Sequence, residues 1–189
     1  VKVRPIPLTT WELSKAVAQL LQDQSDTRYV LTTHGMPSYT FTGFHPVPDL
    51  QIVTILDQAY VVIGHESLDL PIVLDPRDGR VLLAVGPAHS GAFTQLSLYN
   101  SSLRQYRACA EAFVARLPYY RAAQIQEDNF DAAAGQLRDD LLADIVRIDA
   151  AAQCVWSDLP WQIEMGDYPN EALNKYLIED ETLDGCGDQ

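Results

Sequence analysis

A chain of 189 residues with 47% hydrophobic and 21% charged side chains has enough apolar material for one packed domain spanning 1–189, which excludes the disordered and low-complexity classes. A net charge of −13 disfavours direct contact with nucleic acid or an anionic membrane, since phosphate surfaces select Lys and Arg. No charge-free stretch reaches the roughly 20 apolar residues of a membrane span, residues 1–24 lack an export signal, and Cys109, Cys154 and Cys186 form no CxxC pair, so a reducing cytoplasm is the expected home.

Thr9 followed by Glu12 has capping-box spacing, and Leu13, Val17, Leu20 and Leu21 recur at helical intervals, which predicts an opening amphipathic helix. Residues 29–33, Tyr-Val-Leu-Thr-Thr, are β-prone and run into the turn Gly35-Met36-Pro37, so a strand is expected there. Pro46 and Pro48 mark 43–49 as a loop. Five runs rich in Val, Ile, Leu and Tyr follow, at 50–56, 60–64, 71–75, 81–86 and 93–99. Connections this short predict an antiparallel meander. The best-defined turn is Asp75-Pro76-Arg77-Asp78-Gly79, where proline presets a negative φ and glycine supplies the positive one. In 93–99 apolar and polar residues alternate, giving that strand one buried and one wet face.

At Asn100-Ser101-Ser102 the period changes from two to 3.6. Asn100 or Ser101 is the expected cap of a helix whose apolar face is Leu103, Tyr106, Ala110, Phe113, Val114 and Leu117, ended by Pro118. A long helix over 131–150 has Leu137, Leu141, Ile145 and Ile148 as its seam, with Asp139, Asp140 and Asp144 outside. Trp156, Trp161 and a short helix over 170–178 complete a C-terminal helical cover that starts at about residue 127, and 179–189 is an acidic end that frays. The expected fold class is α+β, a curved antiparallel sheet of about five to six strands flanked by helices.

The charge is unevenly distributed. Residues 1–126 hold ten acidic and ten basic side chains, whereas 127–189 hold sixteen acidic residues against Arg138, Arg147 and Lys175, which accounts for the whole imbalance. One reading is that the acidity only keeps a helical face solvated; the other is that it attracts a basic partner.

Motifs for catalysis are missing. His34, His45, His65 and His89 lie in neither HExxH nor His-x-His, the cysteines are too dispersed for a zinc site, and no phosphate loop, dinucleotide fingerprint or nucleophile elbow is present. His65, Glu66 and Asp69 are the nearest approach to an acid-base cluster, and a hydrolase reading requires them to converge in one pocket. No catalytic residue, metal ligand or cofactor is assigned.

The order of features resembles a known superfamily. An N-terminal helix, the turn at Gly35-Met36-Pro37, a meander with a tight Asp-Pro-x-x-Gly hairpin at 75–79, and Tyr99-Asn100-Ser101-Ser102-Leu103-Arg104-Gln105-Tyr106 opening a helix are similar to the SUKH superfamily, most closely its fourth family of immunity proteins. The resemblance implies a non-catalytic role: binding a cognate bacterial toxin, often a nuclease or nucleic-acid deaminase, and blocking it. An acidic surface suits that role, because toxins acting on nucleic acid carry basic grooves. The expected partner-binding residues are Trp161 and Tyr168 as aromatic anchors, with Glu164, Asp167, Glu179, Asp180 and Glu181 as a charged rim. The loops at 36–44 and 65–70 are the alternative docking place, and a regulatory scaffold for an endogenous protein is the alternative role.

Overall fold

The computed structural model describes residues 7–37, 44–66, 70–86, 93–116, 119 and 130–166. The N-terminal part departs from expectation twice. Thr9 caps no helix: it lies in β1 (Leu8–Thr9), and α1 (Lys15–Leu20) begins after Ser14, whose hydroxyl accepts the Val17 N–H at 3.3 Å. Residues 29–33 are not a strand either. α2 (Ser25–Tyr29) continues into a π-helical turn, Val30–His34, in which the Gly35 N–H donates to the Val30 carbonyl at 2.7 Å. Val30 and Leu31 are consecutive and both buried in one core, which a strand, with its side chains on alternate faces, does not allow. β2 (Met36–Pro37) then pairs antiparallel with β1.

The meander is present. β3 (His45–Ile55), β4 (Gln58–Glu66), β5 (Leu70–Leu74), β6 (Val81–Val85) and β7 (Gln95–Asn100) form an antiparallel sheet in sequence order. β3 begins earlier than the expected loop allowed, taking in Pro46 and Pro48. An edge strand needs no N–H on its outer side, and the pairing with β4 shifts register between Pro46 and Gln51. Alternation sorts the sheet into two apolar faces. Val61, Ile63, Ile72, Leu74, Val81 and Leu83 join the helix-side core, while Tyr60, Val62, Val73, Leu82 and Ala84 form a second, smaller cluster with Val47 and Ile55. In β7, Leu96 and Leu98 pack on that second cluster, Gln95 is exposed, and Tyr99 enters the main core.

Two glycines set local geometry. Gly64 faces the Phe44 ring, and a Cβ there would also lie 2.8 Å from the His45 carbonyl oxygen, so the close approach of these two segments needs glycine. Gly79 has φ +78° and closes the predicted turn, with the Asp75 N–H donating to the Arg80 carbonyl at 2.9 Å. The buried Asp75 carboxylate accepts the Arg77 N–H at 3.0 Å and its guanidinium at 2.6 Å, and the Arg77 carbonyl accepts the Gln24 amide at 3.1 Å. The turn is thereby tied to the segment joining α1 and α2.

α3 (Leu103–Ala115) is capped by Ser102, whose hydroxyl accepts the Gln105 N–H at 3.2 Å. The expected caps are displaced because Asn100 is still in β7, paired with Val81. Leu103, Tyr106, Ala110, Phe113 and Val114 are buried as the period requires, whereas Leu117 and Pro118 lie outside the described residues. α4 (Phe130–Ile148) and α5 (Val155–Glu164) follow, α4 packing on α3 and α5 on α4. One apolar cluster runs from Trp11 through the sheet and α3 to Ile163. The architecture is α+β, a five-stranded antiparallel sheet and a two-stranded one flanked by helices. The short helix expected over 170–178 lies outside the described residues.

Candidate functional site

The C-terminal helices are plugged into the end of the sheet by a buried polar socket. Asp149, between α4 and α5, is 3% exposed and accepts the Ser101 N–H at 2.7 Å, the Ser101 hydroxyl at 2.8 Å, the Asn100 amide at 3.0 Å and the Ala151 N–H at 3.2 Å. Burial by itself would raise its pKa. The converging donors, led by the Ser101 N–H, outweigh burial and hold the carboxyl below the usual range. The Asn100 side-chain oxygen accepts the Trp156 Nε1–H at 2.5 Å, and the Gln153 N–H donates to the Tyr99 carbonyl at 3.2 Å. The Asn-Ser-Ser junction is therefore the receptor for the C-terminal layer. Trp156 is buried edge-on to Tyr106, with ring centroids 5.5 Å apart, and Tyr106 in turn meets Phe44 and Tyr99.

This socket fixes the orientation of α5. Trp156, Leu159, Pro160 and Ile163 face inward, which turns Trp161 to the opposite side, where it is 60% exposed. Arg138 of α4 lies over its ring, 5.4 Å from guanidinium carbon to centroid. Arg138 also pairs with Glu164 at 2.7 Å and with Asp139 at 2.8 Å. Further along α4, Asp144 pairs with Arg147 at 2.6 Å and with Arg116, the residue that caps α3, and these cations hold its pKa below the usual carboxylate value.

Of the expected partner-binding residues, the structure brings together Trp161 and Glu164, through Arg138. Glu164 is half-buried against Gly135 and paired with Arg138. Asp167, Tyr168, Glu179, Asp180 and Glu181 lie outside the described residues. Sequence reasoning missed Arg138 and Asp149. Their partners are 26 and 48 residues away in the chain, and only the packing of α4 on α5 and on the sheet end joins them.

The acid-base cluster does not assemble as a pair. His65 and Glu66 are successive residues of β4, in regular register with Pro71 and Leu70, and so project to opposite faces. Glu66 accepts from the Tyr99 hydroxyl at 3.4 Å, and burial raises its pKa; Asp69 lies outside the described residues. The two thiols among the described residues are largely shielded as well. Burial pushes Cys109 up to about 12 and Cys154 up to about 11, the latter also facing Glu66 and Asp158. Among the described residues no group of three or more His, Cys, Asp and Glu side chains could hold a metal, and no helix is long and apolar enough to cross a membrane. A shallow groove of about 420 Å³ lies apart from this face, between α1 and α2, lined by Leu13, Ala18, Ser25, Arg28, Tyr29 and Thr32.

The family model of SUKH-4 immunity proteins matches residues 9–162, from Thr9 of β1 through Gln162 of α5. Neither a curated protein nor a solved structure matches the chain. The matched span contains the two-stranded sheet, the meander, the Asn-Ser-Ser socket and the helical layer that plugs into it, and on that match the chain belongs to the SUKH-4 immunity protein family.

Proposed function

We propose that this immunity protein neutralises a basic toxin domain that acts on nucleic acid, a nuclease or a deaminase, by seating its acidic C-terminal third in the toxin's substrate groove. The carrying observation is the concentration of the entire −13 in residues 127–189, the same part of the sequence that presents an exposed tryptophan, Trp161, on α5. Half of that segment's acidic residues lie beyond the family match. Residues 163–189 hold eight acidic side chains against Lys175 alone, so about half of the excess charge lies within the shared fold and about half in the segment after it. Charge draws in any basic protein, and selection among them falls to a packed aromatic centre. Nothing in this reading requires turnover by the immunity protein.

The test uses the toxin domain that co-purifies with the protein from its host. Rim charges act chiefly on encounter and a buried anchor chiefly on dissociation, so kinetics separates them. Reversing Glu179, Asp180 and Glu181 to Lys is expected to slow association and flatten its salt dependence. Trp161→Ala or Tyr168→Ala is expected to speed dissociation by an amount worth about 2 kcal/mol or more. Unchanged association at low salt in the triple reversal, with neither aromatic truncation weakening binding, moves the interface to the segments 36–44 and 65–70.

A further inference from the structure

The exposed side of the α4–α5 pair carries more apolar surface than Trp161. Leu142 and Val146 of α4 are 42% and 52% exposed, and Met165, the residue that caps α5, is 72% exposed. Arg138, Leu142 and Val146 are spaced i, i+4, i+8, and Trp161 and Met165 are spaced i, i+4, so each set forms one row along its helix. The Arg138 guanidinium over the Trp161 ring joins the two rows, and its pairing with both Glu164 and Asp139 leaves that junction with one excess negative charge. Asp139 on α4 and Asp158 on α5 are exposed beside the rows. The arrangement is an apolar centre with acidic flanks, which is how a specific interface to a basic surface is built.

We propose that Leu142, Val146, Trp161 and Met165 form the docking core of the protein, and that its occupant is the basic toxin domain, which presents an apolar patch ringed by Lys and Arg. The proposal rests on the functional reading above and extends it to residues of α4. The acidic flanks argue for this occupant, since a second copy of the chain would set Asp139 and Asp158 against like charges.

The test measures binding of the full chain to the co-purified toxin domain. The variants are Leu142→Gln with Val146→Gln, and separately Met165→Gln; glutamine keeps helix propensity, and thermal unfolding checks that the fold is retained. Tyr29→Ala, in the groove between α1 and α2, is the control. The expected result is about tenfold or faster dissociation for the α4 pair, a smaller rise for Met165→Gln, an unchanged salt dependence of association for both, and no effect of Tyr29→Ala. If Trp161→Ala weakens binding while the α4 pair does not, the proposed docking core is wrong and the C-terminal reading stands. If Tyr29→Ala weakens binding while the α4 pair, Met165→Gln and Trp161→Ala do not, both fall. Sedimentation of the chain alone as a dimer that the α4 pair converts to monomer would overturn the choice of occupant.

Discussion

Asp149→Ala is expected to destabilise the protein by about 3 kcal/mol, as measured by urea unfolding at neutral pH. The truncation leaves the Asn100 amide and the Ser101 N–H without their acceptor, in a site closed to water on the Asn100 side. Each such orphaned donor costs about 1–3 kcal/mol. A second signature separates this from simple loss of packing. The folded carboxyl titrates below its unfolded value, so its contribution is present above about pH 4 and is lost as pH falls through the folded pKa. In Asp149→Ala the acid limb of the stability profile becomes shallower. An equally steep limb in the variant would mean that other carboxylates, such as Asp75 or Asp144, carry the acid sensitivity.

Phe113→Ala is expected to cost about 3–5 kcal/mol, the range for deleting a buried aromatic ring that leaves a cavity. Phe113 is fully buried on the inner face of α3, its ring 5.2 Å from that of Tyr119. The Tyr119 hydroxyl donates to the Phe113 carbonyl at 2.8 Å, which ties the neighbouring ring to α3 beside the cavity. Chemical unfolding of the variant gives the number directly; a loss below about 1 kcal/mol would show that α3 is loosely packed.

Much of the architecture was legible because it depends on periodicity and turn chemistry. The alternation in β4, β5 and β6 is unbroken from Tyr60 to Ile63, from Ile72 to Leu74 and from Val81 to Ala84, and Gly79 takes the positive φ that its turn needs. The 3.6 period placed Leu103, Tyr106, Phe113, Leu141 and Ile145 inside correctly. Propensity misled at Tyr29 to Thr33, where β-branched residues continue a helix because Val30 and Leu31 must both reach the same core. The capping-box pattern at Thr9 and Glu12 misled for a related reason: Thr9 is claimed by a strand pairing with Met36, a residue far along the chain. In the site, the exposure of Trp161 follows from the phase of α5, but the Arg138–Glu164 pair and the Asp149 socket arise from helices and strand ends meeting in space. No local pattern encodes them.

The same Asn-Ser-Ser segment that reads as a helix cap in the sequence holds the C-terminal layer in place. Through that layer the fold holds Trp161 on α5, mostly exposed and with the Arg138 guanidinium over its ring. The anchor role proposed for Trp161 draws on such preorganisation, since ordering an anchor on contact would weaken the complex.

Neutralisation by occlusion is tested most directly by titrating the cognate toxin domain's activity with the purified protein. Activity is expected to fall in proportion to the protein added, to be abolished when the two are equimolar, and to return in full when the toxin is released by high salt or denaturant and refolded. Inactivation by substoichiometric protein, a released toxin that is covalently altered, or undiminished toxin activity at any excess of protein would contradict occlusion.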